Sequence, residues 1–297
     1  MTPTGRAASS ATPHARLSLN QATIKYASLP RALDAAVQAG YQSIGLWREP
    51  IAEVGLATAA RLVHESGLRV SSLCRGGFFT ATDPAARRLS IDDNRRALDE
   101  AEAIGAPALV LVVGGLPEGS RDLVGARAAV AEALAELAPH AASVGVTLAV
   151  EPLHPMYASD RAVVSTLGQA LDLAEPFDPA IVGVVVDTFH VWWDPSLEAD
   201  VARAGAAGRI ASYQVCDWKT PLPLDVLLAR HYPGDGVIDF GRITEAVLST
   251  GYDGDIEVEI FNQAIWDDDV DTVAARVADA FASAVVPHLG SAVAGGR

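Results

Sequence analysis

Four oxygen-bearing side chains stand at or near the carboxyl ends of four apolar, β-branched segments, and together they could bind a divalent metal ion. Such segments favour strands. In a parallel β/α barrel the carboxyl ends of the strands converge on one mouth, where active sites form. Oxygen ligands delivered there suit a divalent cation, and two carboxylates among them could move protons. The segments are 147–155, 182–190, 210–218 and 256–262, and the candidate ligands are Glu151, Asp187, Gln214 and Glu259.

Each candidate ligand also has an ordinary structural interpretation. Glu151 could form a buried ion pair with an arginine, because burying an unpaired carboxylate is costly. Gln214 could hydrogen-bond to the backbone, which is the common fate of a buried amide. Glu257 and Glu259 face the same side of their strand, where like charges repel unless a cation lies between them or one holds a proton. We therefore assign Glu259 as the ligand and expect Glu257, one layer deeper, to support it.

Histidine, arginine and tryptophan side chains near strand ends are candidates for substrate binding. An imidazole three residues after Asp187 favours a ligand or substrate-binding role over a simple rim position. Aromatic rings at the mouth could stack on a sugar, although each could equally cover the barrel rim. Lys219 and Arg75 could also contact a substrate phosphate. The candidates are His190, His154, Trp47, Arg75 and Trp218.

Eight strand-like segments alternate with helical segments, which predicts a single (β/α)8 TIM barrel of the α/β class. Near-continuous apolar strands are expected in a parallel sheet that is covered by helices. The predicted strands are 17–24, 43–48, 69–75, 108–114, 147–152, 182–188, 210–217 and 256–261. The predicted helices lie near 28–39, 55–66, 90–104, 123–144, 166–176, 198–207, 239–250 and 270–288.

The predicted helix boundaries have local signals. A glycine often ends a helix in the left-handed conformation. Ser90, followed three residues later by Asp93, resembles a capping box and predicts a helix start near residue 90. The stretch 217–238 is the longest without regular pattern, and a loop there would shape the site. The glycines that follow helical segments are Gly40, Gly67, Gly105, Gly145 and Gly251.

The length and composition fit one domain. The chain has 297 residues, half of them apolar, and a β/α barrel typically takes about 250 residues. We expect a flexible N-terminal segment at 1–15, the barrel at 16–289 and a flexible tail at 290–297.

The charge and the cysteines narrow the class of partner and the compartment. A net charge of −15 disfavours nucleic acid and anionic membranes, which bind Lys- and Arg-rich surfaces. Cys74 and Cys216 lie in apolar segments, which is typical of buried reduced thiols. Residues 1–15 lack the apolar core of a signal peptide, and no apolar run is long enough for a membrane span. A cytoplasmic protein that acts on a small molecule is therefore expected, and a homo-oligomer stays open.

At these residues the chain resembles the sugar phosphate isomerase/epimerase branch of the xylose isomerase-like TIM barrels. That superfamily includes D-tagatose 3-epimerase-like enzymes, inosose dehydratases, dehydroshikimate dehydratases and the AP endonucleases related to endonuclease IV. The resemblance covers most of the chain. The segments that carry it are Glu151-Pro152, Asp187-Thr188-Phe189-His190, GDGVIDF at 234–240, and GYDG at 251–254 leading to Glu259.

The resemblance implies roles for particular residues. It places Glu151, Asp187, Gln214 and Glu259 at the four metal-ligand positions, and Glu151 and Glu259 at the acid/base pair. It places His190 at a substrate-contacting position. The family usually has histidine where this chain has Gln214, and an all-oxygen set leans towards Mn²⁺ or Mg²⁺ over Zn²⁺ or Co²⁺. An endonuclease is disfavoured, because the histidine-rich multi-zinc set is missing and the surface is acidic.

The expected function is a metal-dependent isomerase or epimerase that acts on a keto sugar or polyol. One of the two glutamates would remove a proton α to a carbonyl, and the other would return one to the resulting enediolate. A lyase that expels a β leaving group from a keto sugar, keto-inositol or 3-keto-glycoside would share the first half of that reaction. A non-catalytic sugar-binding barrel is the alternative from another class. The substrate, its phosphorylation state and the metal stay open at this point.

Overall fold

A closed barrel of eight parallel strands forms the centre of the molecule in the computed structural model, which describes residues 14–290. The order around the barrel is β1-β10-β7-β6-β5-β4-β3-β2, and this confirms the predicted (β/α)8 TIM barrel. The strands are Leu17–Asn20 (β1), Ser43–Trp47 (β2), Arg69–Gly77 (β3), Ala108–Val112 (β4), Thr147–Val150 (β5), Val182–Asp187 (β6), Ile210–Val215 (β7) and Ile256–Val258 (β10). A separate antiparallel pair consists of Asp217–Trp218 (β8) and Arg230–His231 (β9).

Helices cover the outside of the barrel and follow the strands along the chain. Their apolar faces pack on the strands and form one continuous core, of which Leu98, Leu134 and Phe281 are fully buried members. The helices are Leu29–Gln38 (α1), Arg48–Val54 (α2), Leu56–Ser66 (α3), Pro84–Ile104 (α4), Leu123–Val144 (α5), Leu167–Ala174 (α6), Thr188–Val191 (α7), Leu197–Ala206 (α8), Phe240–Ser249 (α9), Gln263–Trp266 (α10) and Val270–Ala284 (α11).

The strand register brings the candidate ligands to one edge of the barrel. Asp187 ends β6 and pairs in register with Gln214 of β7. Glu151 directly follows β5, and Glu259 directly follows β10. Because β5, β6, β7 and β10 are consecutive in the barrel, their carboxyl ends deliver these four side chains to one side of the mouth.

The structure corrects several of the predicted elements. Residues 21–24 form a 3-10 helix after β1 and not the end of a strand, because the Asn20 side chain caps that turn by accepting from Ala22 N. Helix α2 was not predicted. Helix α4 begins at Pro84 behind an Asp83 cap, so Ser90 lies inside the helix, where its hydroxyl donates to the carbonyl of Gly77.

The predicted irregular stretch 217–238 is held together by one carboxylate. Asp217 accepts hydrogen bonds from the backbone N–H groups of Gly234, Gly236 and Ile238 at 2.7–3.1 Å. A Cβ at Gly236 would lie 2.3 Å from the Trp218 carbonyl oxygen, so only glycine permits this approach. The loop therefore forms a fixed structure in which β9 pairs with β8.

Several simpler expectations are confirmed. The five predicted helix-ending glycines all have positive φ, between 67° and 86°. Both cysteines are buried and free. Between residues 14 and 290, none of the helices has the length and apolarity to cross a membrane. The terminal segments expected at 1–15 and 290–297 lie almost wholly outside the described residues.

Candidate active site

A cavity of about 450 Å³ opens at the carboxyl ends of the strands. Glu151, Glu259 and His190 line it and are almost fully buried. The cavity is large enough for a monosaccharide-sized ligand, and such a pocket with converging polar groups is where a small-molecule site is expected.

A buried arginine, Arg230, lies among the candidate ligands. Its Nη1 is 2.6 Å from Glu259 Oε2 and 3.1 Å from Asp187 Oδ2. Its guanidinium group lies between the rings of Phe189 and Phe261, with its central carbon 5.0 and 5.1 Å from their centroids. One buried cation therefore offsets part of the charge of two buried carboxylates, and burial of charge requires such partners.

His190 belongs to the same cluster. Its Nε2 lies 2.9 Å from Arg230 Nη2 and within 3.9 Å of oxygens of both Glu151 and Asp187. Burial, followed by the positive charge of Arg230, lowers the pKa of His190 well below its usual value. A guanidinium group can only donate, so Nε2 accepts from Arg230, and the lowered pKa favours the uncharged ring that this contact requires.

Gln214 is oriented by Glu257. The Gln214 amide nitrogen lies 3.3 Å from Glu257 Oε1, and the Glu257 carboxylate also accepts from Asn20, Ser71 and Ser72. The Gln214 Oε1 atom is buried and has no hydrogen-bond partner among residues 14–290. Glu257 thus takes the donor side of the amide and leaves its carbonyl oxygen available to a cation.

The Glu257 carboxylate needs the space left by a glycine on β2. A Cβ at Gly45 would lie 2.5 Å from the carboxyl carbon of Glu257. We expect Gly45→Ala to lower the free energy of unfolding by about 1–3 kcal/mol, the usual cost of overpacking a core. Urea denaturation measures this. The shorter Glu257→Asp side chain should recover part of the loss in the double variant, and additive losses would contradict direct contact.

Burial and mutual repulsion shift the pKa values of the acidic groups upwards. Burial, reinforced by the charges of Asp187 and Glu259, raises the pKa of Glu151 well above its usual value. Burial raises the pKa of Glu259 to about 7, even though Arg230 opposes the shift. Burial likewise raises the pKa of Asp187. The cluster therefore contains more carboxylate than Arg230 alone neutralises.

The described residues fit a divalent cation. Glu151, Asp187 and His190 offer ligand atoms that all lie within 4.8 Å of one another. The buried oxygens Glu151 Oε1 and Gln214 Oε1 have no hydrogen-bond partner within the part of the chain that the structure describes. Unsatisfied buried acceptors beside repelling carboxylates are what a bound cation would stabilise. Arg230 contacts two of the four predicted ligands, Asp187 and Glu259, and the sequence analysis did not include this cation. The four-ligand set stays a prediction.

The predicted substrate-binding residues fall into two groups. Trp47, Arg75 and His190 line the cavity. Trp218 is buried, with its ring 4.9 Å from that of His154, and neither residue is among those lining the cavity. Trp218 belongs to the β8–β9 ribbon, in which its backbone pairs with that of Arg230. Lys219 lines a different surface depression.

Sequence reasoning missed Arg230 altogether. The residue lies within the 217–238 stretch, where no periodic pattern marks one position over another. Its only local signal is a cation that directly follows the apolar segment Val226–Ala229. The cavity also receives Tyr157, Arg161 and Lys25, which lie outside the strand segments on which the site was predicted.

Comparisons with known proteins agree with this fold. The sequence model of the xylose isomerase-like TIM barrel family matches residues 33–281. A protein of Sinorhizobium meliloti 1021 with a known crystal structure is 46% identical, with a TM-score of 0.88, and the match covers 91% of this chain and 98% of that one. The IOLI protein, solved with a zinc atom, has 21% identity and a TM-score of 0.81, covering 93% and 100% of the two chains. The second likeness shows the fold alone.

Several relatives are named enzymes. A 3-dehydroshikimate dehydratase of Pseudomonas aeruginosa is 28% identical over 79% of this chain and 36% of its own length. An inosose isomerase of Halalkalibacterium halodurans is 27% identical over 62% of this chain and 64% of its own. An L-ribulose 3-epimerase of Mesorhizobium japonicum is 30% identical over 46% and 42%. The chain spans about a third of the length of the dehydratase. The enzyme names of these relatives support the prediction that this chain is an enzyme.

Proposed function

We propose that this chain, which belongs to the xylose isomerase-like TIM barrel family, removes a proton α to a carbonyl group of a keto sugar or polyol. The observation that carries the proposal is the buried cluster of Glu151, Asp187, Glu259 and His190 beside partnerless acceptor oxygens at the end of a sugar-sized cavity. The expected product is an isomer or epimer.

The proposed metal ligands are Glu151, Asp187, Gln214 and Glu259, with Mn²⁺ or Mg²⁺ favoured because every ligand atom is an oxygen. A divalent cation held there would polarise the substrate carbonyl and stabilise the charge that develops on its oxygen. Participation of His190 would add a nitrogen and make Zn²⁺ or Co²⁺ more suitable. His190 Nε2 lies within 3.9 Å of oxygens of Glu151 and Asp187, so the metal content of the purified protein distinguishes the two sets.

The chain's own residues would move the proton and hold the substrate. Glu151 and Glu259 both line the cavity, and either carboxylate could take the α proton while the other returns one. Arg230 would donate to substrate oxygens, and His190 lies beside it on the same wall and would contact the substrate, where burial strengthens each contact. The aromatic face of Trp47 lies within the cavity and can cover a sugar ring.

A lyase is the second candidate, and the relatives named as dehydratases favour it. After the same proton removal, a β leaving group would depart as water or an aglycone, and one glutamate would protonate it. The epimerase and the lyase therefore share the residues and differ in the fate of the enediolate.

Removal and return of metal tests the proposal. Proton NMR of keto sugars in D₂O, with chelator-stripped protein, should show no exchange at the carbon α to the carbonyl. Protein reloaded with Mn²⁺ should exchange that position at least about a hundredfold faster, the size of effect expected when positioned acid/base groups become competent. The Mn²⁺ is removed by chelation before spectra are recorded.

The products separate the candidates in the same experiment. A new sugar epimer or isomer identifies the first candidate, and loss of water or an aglycone identifies the lyase. Exchange that is unaffected by stripping would contradict the metal. A protein that binds sugar without any exchange would indicate the non-catalytic alternative.

A further inference from the structure

Two arginines at the mouth of the cavity donate no side-chain hydrogen bond to any residue in 14–290, although the chain is strongly acidic. Arg75 makes no side-chain hydrogen bond or ion pair with any residue in 14–290. The Nε atom of Arg161 lies 3.7 Å from a carboxylate oxygen of the neighbouring Asp160, too far for a hydrogen bond. Both side chains line the cavity that holds the acidic cluster. Glu49 and Glu53 line it too, and neither comes within 4.0 Å of these arginines.

The backbone brings the two arginines to one wall. Arg75 lies near the carboxyl end of β3, and Phe78 N donates to Val112 O at the end of β4. Two residues further along, Gly114 N donates to Arg161 O. The segments that carry Arg75 and Arg161 therefore both contact the chain at the end of β4, and Val112 at that end also lines the cavity.

Arg75 is held by aromatic rings and not by carboxylates. Its guanidinium carbon lies 4.7 Å from the centroid of Phe78 and 6.0 Å from that of Trp47. Phe78 has φ of 59°, which is uncommon for a residue other than glycine, and the residue is 42% exposed. Stacking holds the guanidinium plane while its N–H groups stay available, which suits two-point binding of a carboxylate or phosphate.

We propose that Arg75 and Arg161 form an anion subsite, so that the substrate is a keto sugar or polyol bearing a carboxylate or phosphate remote from its reacting carbonyl. The inference rests on the proposed function, in which the carbonyl lies at Glu151 and Glu259 on the neighbouring part of the cavity. The anionic group is then kept away from the carboxylates that must move the proton. The subsite selects among substrates of one reaction and leaves its chemistry unchanged.

Matched ligands test the subsite by binding. D-fructose, D-fructuronate and D-fructose 6-phosphate share a keto group at carbon 2 and differ at carbon 6, which is neutral, a carboxylate or a phosphate. Dissociation constants are measured by saturation-transfer NMR with Mg²⁺-loaded protein in a buffer free of phosphate and sulfate. We expect at least one anion to bind roughly tenfold or more tightly than D-fructose, as hydrogen bonds to charged groups imply. The preferred anion identifies the carboxylate or the phosphate as the natural group.

Variants assign the preference to the two arginines. Arg75→Met and Arg161→Met should each lower the preference for the anion by roughly tenfold, and Arg75→Lys should recover only part of it, because lysine lacks the planar fork. Arg121→Met removes an exposed arginine outside the cavity and should leave all three constants unchanged. Equal binding of the three sugars, binding of none, or a preference that survives both Met variants would overturn the subsite.

Deuterium exchange in the same samples keeps the two proposals separate. An anion preference without exchange supports the subsite and rejects the proposed proton transfer. Exchange of D-fructose without any anion preference supports the proton transfer and rejects the subsite.

Discussion

Glu259→Gln should reduce exchange of the α proton by about 10³-fold, the contribution expected from a positioned general acid or base. The amide keeps the shape of the side chain but cannot take up a proton, and Glu151→Gln should have a similar effect. Deuterium incorporation into the substrate, followed by NMR with Mn²⁺-loaded protein, measures the rate. Metal content is determined in parallel, since loss of a ligand could remove the cation and stop the reaction indirectly.

A matched variant controls for the loss of one negative charge. Glu102 lies on the exposed face of α4, far from the mouth, and Glu102→Gln should keep the wild-type rate. Circular dichroism should show the same fold for all three variants. A fully active Glu259→Gln protein that retains its metal would reject the proposed acid/base pair.

Arg230→Met should destabilise the metal-free protein by about 3–5 kcal/mol, the typical cost of removing one partner from a buried ion pair. Arg230 contacts both Asp187 and Glu259, and the variant leaves their charges buried without a cation. Urea denaturation in the presence of a chelator measures the loss. Arg242→Met, which removes a half-exposed arginine paired with Glu198, should cost no more than about 1 kcal/mol.

The same variant should respond more strongly to metal. Once Arg230 no longer contacts the two carboxylates, a divalent cation can neutralise them, so added Mn²⁺ should raise the free energy of unfolding of Arg230→Met more than that of the wild type. Stabilisation by a ligand that binds only the folded state reaches about 3–4 kcal/mol at 100 to 1,000 times its dissociation constant. An equal response to Mn²⁺ in both proteins would contradict a shared position for the guanidinium and the metal.

The barrel and the converging strand ends were predictable because their signals are local. Alternating apolar strands and amphipathic helices can bury their faces only by packing on each other, and parallel strands place their carboxyl ends together. Asp187 and Gln214 lie in register on adjacent strands for this reason. Boundaries were less predictable, because side-chain caps such as Asp83 and Asn20 decide where a helix begins, and several residues nearby could have served.

The sequence by itself determined the fold, the family and the positions of the acidic residues, since each depends on patterns a few residues long. Only the tertiary structure decided which groups meet those acids. Arg230 reaches Asp187 and Glu259 across 43 and 29 positions of the chain because β9 pairs with β8. Arg75 and Arg161 line one cavity from segments far apart in the chain, and Glu257 turns the amide of Gln214. Contacts between residues far apart in the chain depend on loop geometry and strand order, and neither leaves a periodic signal in the sequence.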